Sequence, residues 1–175
     1  MSTRPPAAEY NPYYETYISK VPEGEITDLL AGKLNSVSDW IGTIPEERGD
    51  YRYAPGKWTL KEVFGHIIDT ERVMSYRLLC IARGDQTPFP GFDQDAYVSQ
   101  AAVIDRSFSD IIKEYAAVRT ATLTLLNGLS EEAWTRKGSV SGNDITVRAL
   151  AYIIAGHELH HFGIIKERYL DNPNQ

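Results

Sequence analysis

One cysteine, Cys80, is all the thiol this chain contains, which excludes an intramolecular disulfide framework and any zinc ribbon built on cysteine pairs. There is no run of about 18 apolar residues, and the N-terminal stretch MSTRPPAAEYNPYY lacks the apolar centre of a signal peptide. Basic residues are in the minority: 18 Lys and Arg face 24 Asp and Glu, for a formal charge of −6, and they are scattered. Nucleic acid and anionic membranes require concentrated basic patches, so neither is expected as a partner. No stretch alternates apolar and polar residues long enough to claim a sheet. A Ser–His–Asp set, a phosphate-binding glycine loop and a dinucleotide glycine fingerprint are all missing. These absences point to a soluble cytoplasmic protein that acts on a small molecule.

What is present is helical. The hydrophobic fraction of 42% suits one globular domain. Residues 1–25, with Pro5, Pro6, Pro12, Pro22, Tyr10, Tyr13, Tyr14 and Tyr17, read as an extended arm whose tyrosines need a surface to lie on. Residues 26–170 read as the folded unit. Leu29, Leu30, Leu34, Val37, Ile41 and Ile44 recur at three- and four-residue intervals until Pro45. A second helix opens on the capping box Thr59-Leu60-Lys61-Glu62, runs to Ala82 and stops at Gly84. A third runs from Ser107 to Gly128, Ser130–Trp134 forms an extra turn, and a fourth runs from near Thr146 to about Leu170. Tyr51–Tyr53 and Phe89–Tyr97 read as irregular. Four long amphipathic helices in one domain mean an all-α four-helix bundle, and connections this long permit parallel neighbours.

Three of the four histidines lie in GHELHH, residues 156–161. His157 and His161 are about 40° apart on a helix, on the apolar face with Leu150, Ile153, Ile154 and Ile164, whereas His160 and Glu158 flank that face. His66 shares its stripe with Val63, Thr70 and Val73 and also points inward. Antiparallel packing of the second and fourth helices brings the three to one level. Buried histidines can be satisfied core residues, but two inward imidazoles need partners for both nitrogens, and one metal ion takes a nitrogen from each. The zinc-protease spacing H-E-x-x-H is the sharper alternative, with Glu158 as general base. It lacks a third ligand downstream, where the chain has Ile164 and Glu167. Asp69 is the second candidate base, within a turn of His66, and equally reads as a solvated partner of Arg72. Arg77 shares the stripe about 16 Å along the helix, too far to be a ligand, and reads as a buried ion pair or a snorkelling side chain. Trp58 reads as packing and Cys80 as a small core residue.

Taken together, KWTLKEVFGHIIDTERVMSYRLLCIARG, the loop DQTPFPGFDQDAYV and ITVRALAYIIAGHELHHFGIIKERYL resemble the DinB-like superfamily of bacterial metal-binding proteins, over roughly residues 26–170. The resemblance implies a four-helix bundle with an up-down-down-up path. It also implies a site for one divalent ion, zinc or nickel, held by His66, His157 and His161, with Glu158 incidental. Relatives of this kind include transferases and isomerases that use a low-molecular-weight thiol, and proteins regarded as metal-dependent hydrolases. The expectation is therefore a thiol-dependent S-transferase acting on a small electrophile, probed against a hydrolase and a stress-linked binding protein without turnover. A homodimer is expected on the same ground. A carboxylate reaching the metal, from Asp69, Glu158 or a loop residue such as Asp93, separates hydrolysis from thiol activation.

The segment from Gly84 to about Asp105 leaves the second helix about 27 Å from His66. Distance favours a crossover strap there, with Phe89, Phe92 and Tyr97 packed on the bundle side. The residues Asp50–Trp58, which enter near His66, read as the nearer lid.

Overall fold

The structure, a computed structural model, describes residues 3–170. Its helices are α1 (Glu15–Ile18), α2 (Ile26–Gly42), α3 (Leu60–Ala82), α4 (Gln94–Gln100), α5 (Phe108–Asn127) and α6 (Val147–Ile164), the last continuing as a π-helical turn over Ile165–Leu170. The starts are where side chains satisfy the free backbone donors. Thr59 and Glu62 form the reciprocal capping box of α3, Ser107 accepts from the Asp110 N–H, and Thr146 accepts from the Ala149 N–H. Gly84, at φ 86°, follows the end of α3 in the left-handed conformation that glycine tolerates.

Contacts fix the path of the four long helices. The Leu30 carbonyl accepts from Arg119 at 3.2 Å, and Gly42 lies nearest Ile112, so α2 and α5 are antiparallel. Phe64 meets Phe108, and Glu71 meets Arg119, so α3 and α5 run parallel. Gly138, just ahead of α6, sits against Ile81 near the end of α3, while His157 meets His66 near its start. Helices α3 and α6 are therefore antiparallel. The resulting order is up-down-down-up, with the consecutive pairs α2/α3 and α5/α6 on the diagonals. No helix among the described residues is long and apolar enough to cross a membrane.

Two features differ from the sequence reading. The segment before α6 is a β-hairpin, β1 (Lys137–Val140) and β2 (Asn143–Thr146), turning through Ser141 (φ 52°) and Gly142 (φ 76°). Positive φ at both central residues matches the right-handed strand twist. Strands of four residues are too short to display a period of two. The arm is not extended either: 3₁₀ turns at Ala7–Glu9 and Pro12–Tyr14 lead into α1, which lies on α6. It is tied down by Arg4, which donates to the Ile18 carbonyl at 2.7 Å, and by Glu9, which accepts from Thr146 at 2.8 Å and is ion-paired with Arg148. Tyr10, Ile18 and Val21 are buried beneath it.

The apolar core comes in two parts. One holds Ile18, Leu30, Met74, Leu78, Ile81 and the first half of α6; the other holds Val37, Ile41, Leu60, Phe64, Ile68, Phe108, Ile111 and Tyr169. Between them lies a buried polar layer of His66, Thr70, Glu71, Arg119, Thr122, His157 and Glu158. A polar layer in a bundle this small must be internally bonded or serve a ligand.

Candidate metal centre

Half of the polar layer satisfies itself. Arg119, fully buried, donates from Nε and Nη2 to both oxygens of Glu71 at 2.9 Å, and from Nη2 to Glu158. The Tyr115 hydroxyl donates to the same Glu158 oxygen at 2.8 Å. Burial raises the Glu158 carboxyl, and the guanidinium beside it pulls the other way. This is a closed network linking α3, α5 and α6.

The other half faces cavities. His66 Nε2 and His157 Nε2 are 3.0 Å apart, and the imidazoles of His66, His157 and His161 each offer a nitrogen within 4.8 Å of the others. Two nitrogens on one divalent ion, with bonds of about 2.0–2.1 Å, stand roughly 3 Å apart, so the pair has the separation of co-ligands. Burial depresses all three: His66 to about 4, His161 to about 3, and His157 well below its ordinary value, with the neighbouring imidazoles adding to the effect on the last two. They are neutral at physiological pH, the form that ligates. His66 Nδ1 lies 3.5 Å from the Thr70 hydroxyl, and the Trp58 ring covers His66 at 4.7 Å between centroids. His160 is half-buried at the side, edge-on to Tyr17 and His161, and is not part of the cluster.

The triad borders two cavities. On one side a space of about 170 Å³ is lined by His66 and His157, with Tyr13, Tyr14 and Tyr17 from the arm and Thr70, Met74 and Arg77 along α3. On the other, a space of about 370 Å³ is lined by His161, Trp58, Lys57, Tyr53, Asp95 and Tyr169. Gln94 borders both.

Neither carboxylate singled out from the sequence lies there. Glu158 follows His157 by one residue, a turn of about 100°, and that rotation delivers it to Arg119. Asp69 is ion-paired with Arg72 and lines a separate recess with Gly65, Val103 and Glu114. Asp93 caps α4, its side chain accepting from the Asp95 and Ala96 N–H groups. The exposed Asp95 is the carboxylate that lines the cavity of His161.

The Gly84–Asp105 connection packs Phe89 and Phe92 on the bundle as expected of a strap, but it also returns to the site. Phe89 joins the hairpin, donating to the Ser139 carbonyl and accepting from the Ser141 N–H, both at 2.9 Å. From there the chain turns back along α3, so that Gly91, Phe92 and Gln94 line the first cavity. The undetected hairpin is what hid this return. The arm's role was hidden as well, though Gly156 carried a signal. A Cβ at that position would stand 2.1 Å from the Tyr17 carbonyl oxygen, and a helical glycine often marks such a close approach.

The sequence model of the DinB superfamily matches residues 29–165. The chain belongs to that superfamily. Among curated proteins, "Putative metal-dependent hydrolase OB0413" of Oceanobacillus iheyensis is 26% identical over 135 residues, covering 75% of this chain and 76% of that protein. Among solved structures, YfiT from Bacillus subtilis, described as "a probable metal-dependent hydrolase with an unusual four-helix bundle topology", superposes with a TM-score of 0.67 at 17% identity, over 93% of this chain and 89% of that one. A mycothiol-dependent maleylpyruvate isomerase superposes with a TM-score of 0.65 at 12% identity, over 83% of this chain and 61% of its own. These structural likenesses show a shared fold, a four-helix bundle in YfiT.

Proposed function

We propose that His66, His157 and His161 hold one divalent ion, zinc or nickel, and that the protein is a metal-dependent enzyme joining a low-molecular-weight thiol to a small electrophile. The supporting observation is the donor set itself: three converging neutral nitrogens with no carboxylate among them. An ion so held supplies Lewis acidity that favours the anionic form of a bound thiol or water. A thiol starts from a pKa of about 8.5 and water from about 15.7, so the thiol needs far less help from a protein base. That matters here, because Asp69, Asp93 and Glu158 are all engaged elsewhere.

The surrounding residues have separable tasks. Thr70 steadies the His66 ring and Trp58 shields it. Tyr13, Tyr14 and Tyr17 line one wall of the first cavity, and Gln94 offers an amide to ligands on either side.

A second reading is hydrolysis, and Asp95 is the observation that favours it. Its carboxylate borders the cavity of His161, where it can take a proton from water. The hydrolase names borne by OB0413 and YfiT agree with it. One experiment separates the two. The metal-loaded protein is screened for loss of free thiol against small electrophiles, and for thiol-independent hydrolysis of esters and amides, in wild type and Asp95→Asn. Thiol consumption that survives Asp95→Asn supports transfer. Hydrolysis without thiol that disappears in Asp95→Asn overturns it in favour of the second reading.

A further inference from the structure

Two arginines are buried in this protein, and their surroundings are opposite. Arg119 touches two carboxylates. Arg77 is only 5% exposed, yet among the described residues no carboxylate lies within 4.0 Å of its guanidinium. Its hydrogen bonds run from Nη2 to the Pro90 carbonyl at 2.7 Å and from Nη1 to the Met74 sulfur at 3.6 Å, and the Phe92 ring lies 5.6 Å from the guanidinium carbon. A carbonyl, a thioether and a ring orient the group without cancelling its charge. Tyr14 and Tyr97 are the titratable neighbours that bear on it, and both are phenols rather than carboxylates.

Arginine cannot escape burial by giving up its proton, unlike lysine or histidine. A buried, uncompensated cation is costly, and a ligand that brings the missing anion removes that cost. Position supports this reading. Arg77 lies eleven residues beyond His66 on α3, a rotation of about 20°, so both occupy one stripe with Thr70 and Met74 between them. Helical side chains lean toward the N-terminus, which for Arg77 is toward the triad. Both residues line the cavity of about 170 Å³ that the arm's tyrosines also line.

We propose that Arg77 anchors the carboxylate of a small-molecule ligand whose remainder extends along α3 toward His66 and His157. A carboxylate fits better than a phosphate. No second arginine or lysine lines the cavity, and in the metal-free protein the histidines there are neutral, so one negative charge is matched and a dianion is not. The planar guanidinium fork also matches two carboxylate oxygens. The space is below the roughly 300–1,000 Å³ of sites for drug-sized ligands, which limits the ligand to a small acid. Calling this ligand a substrate rests on the triad being the reactive centre; the anion site itself does not.

The test therefore uses metal-free full-length protein. Benzoate, benzamide and phenyl phosphate are titrated by calorimetry and by NMR of the Arg77 Nε–H. Benzoate is expected to bind about ten- to hundredfold more tightly than benzamide, and more tightly than phenyl phosphate, while shifting the Arg77 resonance. In Arg77→Gln the preference for benzoate over benzamide should vanish, whereas Arg83→Gln, at an exposed position outside the cavity, should keep it. Equal binding of benzoate and benzamide, an unmoved Arg77 resonance, or a preference that survives Arg77→Gln overturns the proposal. The wild-type resonance decides the matter even if Arg77→Gln fails to fold. Absence of bound metal in the purified protein would sink the proposed enzyme activity and leave this result standing.

Discussion

The Tyr17 carbonyl rests where any side chain at position 156 would have to be. An added Cβ on Gly156 would lie 2.1 Å from that oxygen and 2.4 Å from the carbonyl carbon. Neither is the end of a flexible side chain, so Gly156→Ala must push the arm off α6. Alanine is the better helix former by about 1 kcal/mol, and this gain offsets part of the loss of packing. Thermal stability is thus a weak readout. Limited proteolysis is a strong one: cleavage around Tyr13–Tyr17 should become much faster, while the remaining bundle stays intact. An equally resistant arm in the variant would mean that α1 can shift without leaving its seat.

The metal assignment makes a contrast between adjacent residues. His161→Ala should abolish stoichiometric zinc or nickel in the purified protein, and His160→Ala should leave it nearly unchanged, because His160 lies outside the converging set. Elemental analysis of both variants checks this. Comparable losses in the two would show that His160 also holds the ion and that the set is not limited to the triad.

Acid should weaken the metal-free protein through its histidines. His66 has a folded value of about 4, below the 6.5 of an exposed histidine, so between those values the unfolded chain binds the proton and the folded one does not. Stability is then full above about pH 6.5 and declines as pH falls toward 4, by on the order of 3 kcal/mol for a shift of this size. His161, lowered to about 3, extends the decline further. Urea midpoints from pH 7.5 to 4 should fall for the metal-free wild type and fall less for His66→Leu. A flat profile would mean that these imidazoles are hydrated.

The ion network predicts non-additive energetics. Arg119→Met leaves Glu71 and Glu158 buried without their cation and should cost about 3–5 kcal/mol. Adding Glu71→Gln and Glu158→Gln to the same chain should recover a good part of that loss, because the uncompensated charges go with their partner. Denaturant unfolding of the single and triple variants measures the difference. A triple variant no more stable than Arg119→Met would mean that the loss does not come from the charges left on Glu71 and Glu158.

How far the sequence could be read depended on how local each cause was. Thr59, Ser107 and Thr146 mark helix starts through bonds to residues three positions away, and all three were legible. The phase of His157 and His161 followed from helical geometry, and their meeting with His66 from the antiparallel order of two helices. Glu158 was harder. Its sequence neighbours suggested a protease base, and what removes it from that role is Arg119 on another helix. Asp95 and Gln94 line the cavities of the triad because Phe89 is pinned to a hairpin too short to leave a periodic trace. Likewise the arm's tyrosines showed that they needed a surface, and nothing local showed which one.

The ring of Trp58 against His66 gives the protein a lamp beside its own site. Trp40 lies among Phe64 and Phe162, and Trp134 borders the apolar core away from the histidines, so one indole of the three senses the triad at contact distance. Nickel, with its partly filled d shell, should darken that indole's emission, whereas zinc should leave it bright. The colour and intensity of light from an unlabelled sample would then report which ion has arrived, with Trp58→Phe as the control that removes the signal.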